Sequence, residues 1–205
     1  MNGQLITQLY LDDIRASFRA YKKLAEKGLA QIKDEEYFVT LDEESNSVAV
    51  IMKHMAGNMI SRWTDFLTSD GEKTDRNRDQ EFVIAAGTTK DEVFASWEQG
   101  WSCLLNTVES LQPADLDKEI FIRGKAHSVV QAINRQMTHY AYHIGQIVFL
   151  AKHIRSTEWK SLSVPRNSSA GFNEYLKNKP EGGGSEHHLE AVAGFASDSG
   201  TDAES

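Results

Sequence analysis

His139 and His143 stand four residues apart in the run HYAYHIGQI, inside a segment whose apolar residues recur at helical spacing. Each residue of an α-helix turns by about 100°, so side chains four apart nearly stack and the two imidazoles must point the same way. Paired neutral imidazole nitrogens suit metal-ligand chemistry, provided a third donor arrives from elsewhere in the fold. The blander alternative is a pair of hydrogen-bonded packing residues, and spacing alone does not choose between the two. A donor of the right type lies in VAVIMKHMAGNMISRWTDFL. There His54, Asn58 and Arg62 follow one another at steps of four, beside the apolar positions Val48, Ile51, Met55, Met59 and Phe66. If these two polar flanks meet, three imidazoles converge, and three nitrogen ligands with an open position are a catalytic arrangement for a divalent ion. Read by itself, His54 is an ordinary partly buried imidazole.

Positioning these side chains requires helices that pack on one another. A first helix is expected from about Leu5 to Ile32, with Leu5, Leu9, Ile14, Phe18, Tyr21, Leu24 and Ala25 on its apolar side. A second starts from Ser45 or Asn46 as N-cap and runs to about Leu67, in spite of Gly57. TSDGEKTDRNRDQEFVIAAG then reads as a long crossover anchored by Phe82, Val83 and Ile84. Its charged run from Arg76 to Glu81 reads as solvated loop, with Arg76 and Arg78 able to line a pocket mouth. Thr89 and Glu92 have capping-box spacing and open a third helix that Gln112-Pro113 stops.

Between Leu116 and Ser128 a short alternating run meets Arg123-Gly124 and reads as a small hairpin or a pair of extended segments. Ser128 caps a fourth helix, whose stripe is Val129, Ile133, Met137, Tyr140, Ile144, Ile147, Val148 and Ala151. The expected fold is all-α: a four-helix bundle with one long crossover connection and a small extended or hairpin segment before the fourth helix. Residues 1–179 hold the bundle and a C-terminal extension, and residues 180–205, rich in Gly, Ser, Glu and Asp, read as a flexible acidic tail.

Composition narrows the function. With 205 residues, 40% of them hydrophobic, one globular domain is the expectation. Against 22 Lys and Arg stand 30 Asp and Glu, and a net charge of −8 lacks the positive field that attracts phosphate backbones, so nucleic acid is not an expected partner. Cys103 is the single cysteine, which rules out an intramolecular disulfide and a cysteine-based zinc site and fits a reducing compartment. No secretory leader and no bilayer-spanning run is legible, so a cytoplasmic, membrane-free protein is expected. Met52, Met55, Met59, Trp97 and Trp101 read as packing, and His127, His153, His187 and His188 are not assigned to a site.

HMAGNMISRWTDFLTSDGEKTDRNRDQEF, taken with SVVQAINRQMTHYAYHIGQIVFLAKHI, resembles the DinB-like, or YfiT-like, four-helix-bundle superfamily, and particularly its branch described only as a domain of unknown function. The resemblance covers about residues 5–167, and its most specific part is the H-x-x-x-H-x-G-Q-I form from His139 to Ile147. It implies that His54, His139 and His143 bind a divalent metal, zinc or nickel, and it allows a homodimer. Asn58 and Arg62 would then lie around the metal or line a pocket beside it. The implied activity is a metal-dependent transferase that activates a low-molecular-weight thiol, such as bacillithiol or mycothiol, for attack on an electrophilic small molecule. A metal-dependent hydrolase and a noncatalytic metal- or ligand-binding stress protein are the alternatives on the same scaffold.

Overall fold

The computed structural model describes residues 3–178 and Phe195. Four long helices bury their apolar stripes against one another: α1 (Gly3–Leu29), α2 (Val48–Trp63), α3 (Lys90–Ser110) and α4 (Val129–Arg155). Side-chain oxygens close their starts. Thr89 and Glu92 exchange hydrogen bonds at the head of α3, and Ser128 and Gln131 do the same at α4. At α2 the cap is Ser47, which accepts from the Val50 amide at 3.3 Å; Ser45, one of the two residues expected there, is instead bonded to Asp42. The helix ends at Trp63 rather than Leu67, because Asp65 takes a left-handed backbone with φ 49°.

The apolar side of α1 also differs from expectation, for Leu5 and Leu9 are 48% and 54% exposed while Leu11, Ile14, Phe18, Ala25 and Leu29 are buried. At about 100° per residue, Leu9 lies roughly 140° from Ile14 around the helix, whereas Leu11 lies about 60° from it. Leu11 therefore belongs to the stripe and Leu9 does not.

Two same-sense pairs make the bundle. Residues 10 and 28 of α1 meet residues 134 and 148 of α4, through a Tyr10 hydroxyl to Asn134 Oδ1 bond of 2.7 Å and the contact of Gly28 with Val148. Residues 56 and 63 of α2 meet residues 100 and 107 of α3, where the Thr107 hydroxyl donates to the Trp63 carbonyl at 3.0 Å. Gly100 permits this approach: a Cβ there would stand 2.8 Å from the Ala56 Cα. Because α2 and α3 point the same way, the chain between them must travel back along the bundle.

The core is built from Phe18, Trp63, Trp97, Trp101 and Tyr140 with Met52, Met55 and Met59, all buried, so these aromatic and methionine positions do serve packing. Before α4 comes an antiparallel hairpin, β1 (Glu119–Ile122) with β2 (Lys125–Ser128), whose register pairs Ile122 with Lys125. Its two turn residues, Arg123 and Gly124, have φ of 56° and 68°, the positive pair that a tight hairpin turn of this hand requires.

A short helix α5 (Ser169–Asn178) follows. The expected acidic tail lies outside the described residues apart from Phe195, which packs on Phe172 with ring centroids 5.3 Å apart. Among the described residues no helix is long and apolar enough to cross a membrane.

Candidate metal centre

His139 and His143 project from successive turns of α4 toward α2, and His54 meets them from the middle of α2. The His54 and His139 Nε2 atoms are 3.4 Å apart, and those of His143 and His139 are 3.0 Å apart. One ring nitrogen from each residue lies within 4.8 Å of the others. The sequence pattern offered three imidazoles on two helices, and the bundle brings all three together.

The outward nitrogens of two rings are already committed. His54 Nδ1 donates to Glu81 Oε2 at 2.8 Å, and His143 Nδ1 donates to Gln146 Oε1 at 2.8 Å. Each neutral ring with its proton on Nδ1 presents a bare lone pair at Nε2. Both lone pairs face the same His139 nitrogen, which has one proton at most to offer them. A cation satisfies all three at once. At the usual zinc–nitrogen distance, two ligands of a tetrahedral ion lie about 3.3 Å apart, close to the separations found here. The group could therefore hold a metal ion.

The electrostatics agree with this chemistry. Burial, followed by the neighbouring His143 and His54 rings and the Arg62 and Arg76 guanidiniums, brings His139 down to about 3. Burial also lowers His143, against the opposing effect of its bond to Gln146. Both rings are thus neutral at pH 7, the state in which imidazole is a ligand.

The carboxylate behind His54 comes from the crossover, which corrects the expectation for that segment. Arg76 and Glu81 are not solvated loop: both side chains are buried, Arg76 at 5% exposure, and they form a two-point ion pair. Arg76 Nε donates to Glu81 Oε1 at 2.7 Å and its Nη2 to Oε2 at 2.9 Å. Burial raises the Glu81 carboxyl, but hydrogen bonds from His54 and Arg76 outweigh it and leave the group below its ordinary value, hence ionised. Such a carboxylate fixes the tautomer and aim of a ligating imidazole. Of the expected anchors, Phe82 stacks on the His54 ring at 4.7 Å, whereas Val83 is exposed. Arg78 lies over Phe82, 5.0 Å from the ring centroid.

Gly57 is what lets the carboxylate in. A Cβ at this mid-helix position would stand 2.5 Å from Glu81 Oε1 and 2.8 Å from Cδ. A glycine inside a helix with no turn to make, one turn from a candidate ligand, was the available signal for a buried partner.

Asn58 and Arg62 take places one and two turns farther along α2, and their side chains bond to Tyr140, Gly71 and Glu72 instead of the three rings. Asn58 Oδ1 accepts from the Tyr140 hydroxyl at 3.0 Å, and that oxygen accepts from Trp63 Nε1 at 3.0 Å. Arg62 donates to the Gly71 carbonyl and to Glu72 Oε2, the latter at 2.8 Å, while Arg76 reaches the same Oε2 at 3.2 Å and Arg123 of the hairpin turn at 3.1 Å. An alternating chain of charges thus runs from Arg123 through Glu72 and Arg76 to Glu81 and His54. Asp70 ties its outer end, accepting from the Arg123 and Gly124 amides at 2.8 and 2.7 Å.

The remaining described histidines stand apart: His127 is bonded to the Lys125 carbonyl, and His153 is exposed beside Phe149. His187 and His188 lie outside the described residues. Cys103 is half-buried on α3 against the Thr64 hydroxyl.

Set beside curated proteins and solved structures, the chain matches none. Over residues 5–168 it matches the family described as "Protein of unknown function (DUF1572)", and it belongs to that family.

Proposed function

We propose that the protein binds a divalent cation, zinc or nickel, through His54, His139 and His143. We further propose that it serves as a metal-dependent transferase of the DinB-like superfamily, using a low-molecular-weight thiol against an electrophilic small molecule. The observation that carries the metal reading is the meeting of three Nε2 atoms, two of them fixed as bare lone pairs by Glu81 and Gln146. The thiol rests on the resemblance of the H-x-x-x-H-x-G-Q-I run and on the chemistry of the donor set. Held by His54, His139 and His143, a divalent cation would supply the Lewis acidity that favours a thiolate over a thiol at neutral pH.

The protein's own residues do the positioning. Glu81 holds His54 in one tautomer, Gln146 does the same for His143, and the Arg76 guanidinium keeps Glu81 ionised. A reducing cytoplasm suits both a free thiol cosubstrate and the lone Cys103.

The test is elemental analysis of freshly purified wild type beside His139→Ala, followed by a conjugation assay with bacillithiol or mycothiol and an alkylating electrophile. Near-stoichiometric metal in the wild type, its loss in the variant and thiol-dependent turnover are expected. Equal metal in both proteins would remove the site. Bound metal with no turnover would favour the noncatalytic metal-binding reading over the transferase.

A further inference from the structure

Beside the three histidines, α4 presents two large aromatic rings to solvent. Tyr142 and Phe149 are seven residues apart, on one face, and each is 62% exposed. Between them sits Gly145, in the middle of the helix. Its backbone is ordinary helix, and a Cβ built there would meet nothing within 4 Å. Neither a turn nor a close helix contact explains this glycine, and a helix-interior glycine is less stable than alanine. What the missing side chain does leave is space.

That space is the floor of a cleft of about 430 Å³ between α4 and the loop before α2. Its far wall is Leu41 with Ile51 and Leu150 beneath, and Glu44, Ser45 and Asn46 form its rim. The wall is fixed in place: Asp42 Oδ1 accepts from the Glu44 amide at 3.0 Å, the Ser45 amide at 2.8 Å and the Ser45 hydroxyl at 2.8 Å. The volume falls in the range of small-molecule sites, and apolar walls with a few aimed polar groups are their usual lining.

The polar groups narrow the occupant. Among the described residues no lysine or arginine lines the cleft and Glu44 is its one charged residue, so none of them compensates an anion. Gln146 Oε1 is taken by His143, and one Gln146 Nε2 proton is given to the Tyr142 hydroxyl at 3.0 Å. The second Nε2 proton and the phenol proton remain available at the cleft, and both are donors.

We propose that this cleft is a binding site for an uncharged ring compound carrying a carbonyl or ether oxygen. The ring lies over Gly145 between Tyr142 and Phe149, and the oxygen accepts from Gln146 or Tyr142. Because Gln146 also holds His143, the occupant touches the side chain that orients one candidate ligand, but its binding does not depend on a metal.

The probe is prodan, an uncharged naphthalene with one ketone oxygen and environment-sensitive emission. Saturable one-to-one binding with a blue shift is expected in the wild type. Gly145→Leu, which fills the floor, should weaken it at least tenfold, and Gly145→Ala should weaken it less while melting no lower than wild type. The anion 1-anilinonaphthalene-8-sulfonate should bind at least tenfold more weakly than prodan. His139→Ala should keep prodan binding whether or not it loses metal, so failure of the metal reading and failure of the cleft are read separately. Unchanged prodan affinity in a folded Gly145→Leu protein would overturn the proposal. So would equal affinity for the anion, or a loss of binding at high protein concentration that follows self-association over this face.

Discussion

Gly57→Ala distinguishes this structure from helix propensity by the sign of its effect. Propensity alone makes alanine the better residue at a helix interior by about 1 kcal/mol. Here the new methyl would stand 2.5 Å from Glu81 Oε1, so the carboxylate must shift. It cannot swing aside freely, because Arg76 holds it through contacts of 2.7 and 2.9 Å and His54 through one of 2.8 Å, all of them buried. Giving up one hydrogen bond of this charged kind costs about 1.5–3 kcal/mol. Subtracting the propensity gain leaves a net loss of about 0.5–2 kcal/mol. Urea unfolding of metal-free protein, followed by far-UV circular dichroism, measures it. Disturbing an outer carboxylate of this kind weakens metal binding by about 10- to 100-fold, which competition with a chromophoric chelator reads for zinc. The penalty should also shrink in a Glu81→Gln background, where the amide is held less tightly, with a coupling of at least about 0.5 kcal/mol in the double-mutant cycle. A Gly57→Ala protein more stable than wild type by the full propensity difference, with zinc affinity unchanged, would refute the assignment of Glu81 as the group that holds His54.

Tyr140→Phe should destabilise by about 1–3 kcal/mol, since it strands the buried Asn58 Oδ1 and Trp63 Nε1 together, and urea unfolding at unchanged metal content checks it. Gly100→Ala should cost about 1–3 kcal/mol or more, because the atom it meets is the Ala56 Cα, part of a helix backbone that cannot rotate away; an unchanged melting temperature would count against the close α2–α3 contact. Metal-free protein should lose stability as pH falls below the ordinary histidine value of about 6.5. In the window from there to about 3 the unfolded chain carries a proton on His139 that the folded chain does not, so stability rises with pH. The slope should stay below about 1.4 kcal/mol per pH unit for this group, reduced further because the ring is half-buried and partly screened by water. A flat profile from pH 7 to 4 would contradict the burial of that ring.

The fold was legible where the determinants are local. The capping box at Thr89–Glu92, the Ser128 cap, the hairpin turn at Arg123-Gly124 and the apolar stripe of α4 all depend on residues a few positions apart, and the structure has each of them. His139 and His143 share a face for the same reason. Nothing local joins His54 to them, since periodicity says which way a side chain points along its own helix and nothing about the helix opposite. Arg76 and Glu81 read as solvated because a charged run in a connection usually is, and the burial of Glu81 depends on His54, 27 residues away. Leu5 and Leu9 failed for a different reason: an apolar residue in a helix need not lie on the packed stripe.

The strap between α2 and α3 shows why its length matters. To return along a helix of 16 residues it needs to cover about 24 Å, and residues 64–89 could span several times that if drawn out. The excess folds inward at Arg76 and Glu81, so chain beyond what the return requires sets a carboxylate behind His54. Trimming this strap to the shortest bridge could keep the four-rod topology and still unseat His54, which would make the connection a dial on cation retention that is separate from the packing of the rods.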